Sequence, residues 1–137
     1  MKEEQHGMSV IVKTVTRLTV GLILLYGVYI LLHGHLTPGG GFVGGIVLAL
    51  SLTHLLLAFG HSGPGLLSRS GAAVLESVGA ALFVGIALAG FLGGVFFRNF
   101  LPSGTPFELL SAGIIPFANI AISLKVGAGL FSIFLAI

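Results

Sequence analysis

LTVGLILLYGVYILLHGHLTPGGGFVGG, residues 18–45, decides the fold. Its first part, Leu18 to Leu32, holds no charged side chain, and the apolar character reaches back to Val10 past only Lys13 and Arg17. A hydrocarbon core about 30 Å thick is crossed by roughly 20 helical residues. Residues 10–32 are therefore long enough to span it. Lipid offers no partner to backbone N–H and C=O groups, so such a span must be a helix. The run His33-Gly34-His35-Leu36-Thr37-Pro38-Gly39-Gly40-Gly41 then breaks it, and a second apolar run begins at Phe42.

Outward from this stretch the pattern repeats. Apolar runs cover about 42–59, 71–97 and 114–137, with His54 in the second, Glu76 near the start of the third and Lys125 in the middle of the fourth. The expected fold is an all-α membrane protein, a bundle of four transmembrane helices forming a single domain over residues 1–137. Composition agrees. Of 137 residues, 55% are hydrophobic and 7% charged, against roughly 25% charged in a soluble domain, and the mean hydropathy is +1.14. Water would not dissolve so bare a surface. The first span is expected to be retained rather than cleaved, because its apolar run is longer than a signal peptide's and no small-residue cleavage site follows.

Cysteine is absent, which excludes disulfides, iron–sulfur clusters and thiolate metal sites. Asp is absent as well, and the acidic residues are Glu3, Glu4, Glu76 and Glu108. No cofactor and no metal is expected. A net charge of +2 is a bias in membrane orientation and no footprint for nucleic acid. Lys2, Lys13, Arg17 and Arg69 fall on one side of the membrane and Arg98 on the other, so both termini are expected in the cytoplasm. In the third connector, Thr105-Pro106-Phe107-Glu108 has the form of a capping box, and Gly113 follows. A short interfacial helix is expected over 106–112, with Glu108 as a cap residue.

Gly39, Gly41 and Gly44 satisfy G-x-G-x-x-G, but an apolar helix precedes them and no acidic residue follows until Glu76. The dinucleotide site needs a strand before the motif and an acid about 20 residues after it. Thr37 is expected to cap the second span and Pro38 to open it. The pairs Gly40/Gly44 and Gly41/Gly45 have the four-residue spacing that permits close helix approach. In the third span Ala73, Ser77, Ala81, Gly85, Ala89 and Gly93 place a small residue at every fourth position, one groove along a helix face. That groove serves either packing within the chain or a partner subunit.

Ionisable residues inside a membrane are costly and are treated first as functional candidates. His54 and Glu76 lie at similar depth on consecutive antiparallel spans, on the order of 9 Å from the inner boundary. A hydrogen-bonded pair between them is expected, serving either to hold two helices together or as a proton or cation relay. Lys125 is too deep to snorkel and should face a cavity, a carboxylate or a neighbouring subunit. His33 and His35 do not share a helix face and have no nearby acid, which argues against a metal site.

The motif His33-Gly34-His35-Leu36-Thr37-Pro38-Gly39-Gly40-Gly41-Phe42-Val43-Gly44-Gly45 between two apolar helices resembles the B-subunit family of multisubunit Mrp-type (Mnh or Sha) sodium/proton antiporters. The family usually has Gln where this chain has Val43. Length and four-span layout are also similar, so the resemblance covers the whole chain. It implies a small, non-catalytic subunit in the cell membrane of a prokaryote, assembled with large antiporter-like subunits and several small ones. The complex would exchange Na⁺ for H⁺. Homologous subunits occur in membrane-bound hydrogenase and sulfur- or sulfane-reducing respiratory complexes, where the module is thought to couple electron transfer to ion pumping. Competing readings are a stand-alone small transporter, for which no internal repeat is visible, and a lipid-acting enzyme, which lacks a polar cluster with a carboxylate.

Overall fold

The computed structural model describes residues 8–61, 63 and 67–137. The charged residues Lys2, Glu3 and Glu4, and Ser62, Pro64 and Gly65 of the second connector, lie outside them. Four helices long and apolar enough to cross a membrane form the chain, and no strand occurs among the described residues. Helix α1 is Val10–Leu32, α2 is Gly40–Phe59, α3 is Arg69–Ala89 and α4 is Ile115–Ala136. Ser9 caps α1, accepting the Val12 N–H at 3.5 Å, and Ser68 caps α3, accepting the Gly71 N–H at 3.0 Å. Pro116 in the first turn of α4 has no N–H to leave unsatisfied there.

The helices pack in the order α1, α2, α4, α3. Helix α4 lies between α2 and α3, which do not neighbour each other. Helix α2 is antiparallel to α1, with Gly27 against Leu48 and Gly44 against Leu31. Helices α2 and α4 run parallel, Gly41 lying against Asn119 and Gly45 against Ser123. Helix α3 returns antiparallel to α4, with Gly79 beside Ala121 and Gly129 beside Glu76.

The interior of this bundle is made of small residues. Ala49, Ala72, Ala87, Ala121, Ser51 and Ser123 are buried, with Phe131 as the one fully enclosed large hydrophobic side chain among the described residues, packed on Leu56 and Ala72. Leu18, Leu22, Leu25, Phe91 and Leu92 point outward. In lipid, apolar side chains gain nothing by facing inward, and helices associate through close backbone approach. A Cβ on Gly45 would lie 3.0 Å from the Ser123 carbonyl oxygen, and one on Gly79 would lie 2.6 Å from the Lys125 backbone nitrogen. Glycine at these positions sets the interhelical distance.

The connectors differ from the sequence expectation in three places. Thr37 does not cap α2; its hydroxyl donates to the His33 carbonyl at 3.1 Å and closes the end of α1. The cap position of α2 is Gly39, with φ 140°, followed by Gly40 with φ 76°. Pro38 is thereby held outside the helix, because two left-handed residues separate it from the first turn. Helix α3 passes into a 3₁₀ turn, Gly90–Gly93, and stops at Gly94 with φ 90°. The chain then folds back, so that the Phe97 N–H reaches the Ala87 carbonyl at 3.2 Å and Arg98 Nη1 donates to the Gly93 carbonyl at 2.6 Å.

Residues 106–112 form successive turns in place of the expected helix. Phe107 has φ 72°, which stops a helix at its first residue, and the N–H groups of Glu108 and Ser111 bond three residues back, to the Thr105 and Glu108 carbonyls. The staple of this connector is Asn99. Its Oδ1 accepts the N–H groups of Leu101 at 3.3 Å and Ile114 at 3.2 Å, and so fixes where α4 begins. Asn99→Ala is expected to destabilise the bundle by about 1–2 kcal/mol, the cost of a lost cap that leaves a part-buried N–H unpaired. Thermal unfolding in detergent reads it; a shift below about 0.5 kcal/mol would remove Asn99 from that role.

Candidate functional site: a charged pair at mid-membrane

Lys125 stands ten residues from the start of α4 and eleven from its end. At about 1.5 Å per residue it is roughly 15 Å from either boundary. Glu76 reaches it from α3, with Oε1 3.4 Å from Nζ. The close approach at Gly79 favours this pairing. Gly79 brings the α3 backbone against α4 one turn from Glu76, and Gly129, one turn beyond Lys125, lies beside the carboxylate, which a Cβ there would meet at an ordinary contact distance of 3.4 Å. The pair is not enclosed within the chain: the Lys125 side chain is 52% exposed and that of Glu76 40%. It lies on the floor of an open groove along α4, walled by Phe42 and Ile46 of α2 and reaching Ile133 and Ala136.

His54 does not join this pair. Its Nε2 is hydrogen-bonded to Thr16 Oγ1 of α1 at 3.2 Å. The expected His54–Glu76 contact fails because consecutive helices are not adjacent here: α4 occupies the space between them. Thr16 is buried (1% exposed), so the bond satisfies a hydroxyl that lipid could not. At the same end of the bundle Lys13 and Arg17 lie over the Phe59 ring, 5.9 and 5.1 Å from its centroid, holding cations where α1 begins and α2 ends.

The glycine-rich connector is a packing joint. The His33 ring stacks on Tyr29 at 4.3 Å, and its Nδ1–H donates to the Tyr29 carbonyl at 3.1 Å. His35 turns the other way, its Nε2–H donating to the Glu108 carbonyl at 3.0 Å, and ties this connector to the turns at 105–112. Gly34 and Gly41 lie against Asn119, Gly44 against Leu31 and Gly45 against Ser123 and Val126. Phe42 is exposed and lines the groove of the charged pair. Of the small-residue stripe on α3, Ala73, Ser77, Ala81 and Gly85 are exposed, and Gly93 packs on the Arg98 side chain. Packing of α3 onto α4 uses Ala72 and Gly79 instead, a second small face seven residues in period that the longer stripe obscures in the sequence. Asn99, Asn119, Gly79 and Gly129 were not legible as partners, since each acts through a residue distant in the chain.

A bundle of four apolar helices carrying an ion pair at mid-depth, and no polar cleft among its described residues, defines a small multi-pass membrane protein. Residues 11–132 match the family described as "Domain related to MnhB subunit of Na+/H+ antiporter". The chain belongs to that family. An uncharacterized protein of Methanocaldococcus jannaschii is 39% identical over 116 residues, 80% of this chain and 44% of the relative. The Na(+)/H(+) antiporter B-subunit of Bacillus subtilis is 46% identical over 56 residues, 41% of this chain and 39% of that protein. The chain thus spans less than half the length of these two relatives. Among solved structures, a chain of the membrane-bound sulfane sulfur reductase, an archaeal respiratory membrane complex, superposes with a TM-score of 0.80 at 33% identity, covering 96% of this chain and 59% of that one.

Proposed function

We propose that this chain is a small membrane subunit of a multisubunit Na⁺/H⁺ antiporter module, supporting cation/proton translocation and assembly without catalysis of its own. The observation that carries the reading is the Glu76–Lys125 pair, half exposed on the bundle's outer face between two helices apolar enough to span a membrane. Lipid does not solvate such a pair, so neighbouring protein or a water-lined path must. Family membership over 11–132 supports an antiporter-type membrane assembly as its source. The exposed stripe from Ala73 to Gly85 is a second face suited to a neighbouring helix.

A second reading keeps the same subunit and changes its setting. The similarity to a chain of a sulfane sulfur reductase complex supports a redox-driven ion pump, a membrane-bound hydrogenase or sulfur reductase, as the parent assembly. In either setting both termini face the cytoplasm of a prokaryotic cell, with Lys13, Arg17 and Arg69 on that side.

Gentle detergent purification from the native membrane, followed by mass spectrometry, tests both. Co-purification with antiporter-type membrane subunits alone is the expected outcome. Additional iron–sulfur, flavin or hydrogenase-like subunits would move the chain to the redox-driven setting. A chain that purifies by itself or only as a homo-oligomer overturns the proposal.

A further inference from the structure

The α4 groove holds more than an ion pair. Lys125 has three N–H donors, of which one is used among the described residues, on Glu76 at 3.4 Å. The ammonium is the more exposed of the two charges, 52% against 40%. The groove runs from Phe42, near the start of α2, to Ala136, at the end of the parallel helix α4, and is otherwise apolar except for Ser132, whose hydroxyl donates to the Ala128 carbonyl at 2.8 Å. Its occupant must be long, apolar and able to accept hydrogen bonds at one depth.

Lipid does not meet that description. Lys125 is about 15 Å from either boundary, beyond headgroups, and acyl chains have no acceptors. A second copy of this chain does not meet it either. Among the described residues Glu76 is the one carboxylate within a membrane helix, and it already lies on the groove floor. The outward face of α1, with Leu18, Leu22 and Leu25, offers none. Two copies could bring charge to charge only by setting one concave groove against the other, which leaves both unfilled.

Resting on the assignment to a multisubunit assembly, we infer that this groove receives a transmembrane helix of a different subunit, apolar except for a carboxylate that accepts hydrogen bonds from Lys125. The lysine then bridges two carboxylates, one from each chain. The small floor at Gly129 lets the incoming helix approach closely.

The test places a photo-reactive amino acid at Ile133, an exposed groove residue, in the intact membrane complex. The expected product is an adduct with a membrane segment of another subunit that has Asp or Glu within about two turns of the cross-linked residue. Lys125→Met is expected to lower the adduct yield about thirtyfold or more, and Lys125→Arg to retain it. The double variant Glu76→Gln/Lys125→Met is expected to stay low, because the incoming carboxylate remains unpaired. Recovery in the double variant would mean that the pair serves this chain alone, and would overturn the inference. So would adducts with lipid only, with a second copy, or with a segment lacking an acid, in a complex that is otherwise intact. If no other subunit co-purifies at all, it is the proposed function that fails, and the two failures are thereby told apart.

Discussion

Gly79→Leu is expected to separate α3 from α4 and to destabilise the protein by about 3 kcal/mol or more. A Cβ at this position already falls 2.6 Å from the Lys125 nitrogen and 2.9 Å from the Ala121 carbonyl oxygen, both backbone atoms that cannot swing aside. Overpacking a close contact costs typically 1–3 kcal/mol, and more when only backbone can yield. The leucine adds no compensating transfer energy, since lipid is as apolar as the packed interface. Displacing α3 also carries Glu76 away from Lys125, so the charged pair is lost with the packing. Gly85→Leu is the matched comparison. It is on the same helix, adds the same side chain, and a Cβ there meets nothing within 4 Å. Thermal melting of the solubilised chain should fall for Gly79→Leu and stay within about 0.5 kcal/mol of the parent for Gly85→Leu. Equal melting of the two variants would show that the α3–α4 contact is not made as described.

Lys125→Ala is expected to lower Na⁺/H⁺ exchange per assembled complex by at least about tenfold in membrane vesicles. Removing the ammonium leaves Glu76 alone inside the membrane, seven residues from the start of α3, where the cost of an unpaired ion is at most the about 2.5–3.5 kcal/mol that insertion scales assign at a helix centre. At roughly 1.4 kcal/mol per factor of ten, that corresponds to about two orders of magnitude as an upper bound. Glu76→Gln should act in the same direction from the other side. Lys125→Arg keeps the charge and should retain most exchange. Normalising to assembled complex separates transport from assembly; full exchange in complexes carrying Lys125→Ala would reduce the pair to an architectural element.

Much of the fold is written in hydropathy. The four runs from Val10, Phe42, Gly71 and Ile114 start within two residues of α1 to α4 because length and apolarity determine a span, while the third, expected to reach Phe97, overshoots the end of α3 at Ala89 by eight residues, where the chain tightens into a 3₁₀ turn and folds back. The neighbour relations are not written there. Hydropathy is blind to which helices touch, so consecutive order was the natural guide, and it paired His54 with Glu76 across a gap that α4 fills. The turns at 106–112 show a different limit. Thr105-Pro106-Phe107-Glu108 carries a helix-start pattern, but a single turn of helix is barely stable on its own. The connector followed Asn99 and Gly113 instead, the latter with φ 65°. The site was half legible. Lys125 and Glu76 each stood out as charges in apolar surroundings, while their pairing depended on Gly79 and Gly129, two glycines among 22.

The placement of α4 between α2 and α3 has a consequence for how the protein is made. Helices leave the ribosome in order, so α1, α2 and α3 enter the bilayer before α4 exists. The surfaces that α4 will cover, Gly41 and Gly45 on α2 and Gly79 on α3, wait open, and Glu76 waits without its lysine. Helices α2 and α3 cannot close on each other without barring the last helix from its place. Helix α4 therefore enters last, between two helices already in the bilayer, and its arrival supplies the glycine contacts and the lysine together. A chain ending before α4 would carry Glu76 within the bilayer without the lysine that pairs with it here.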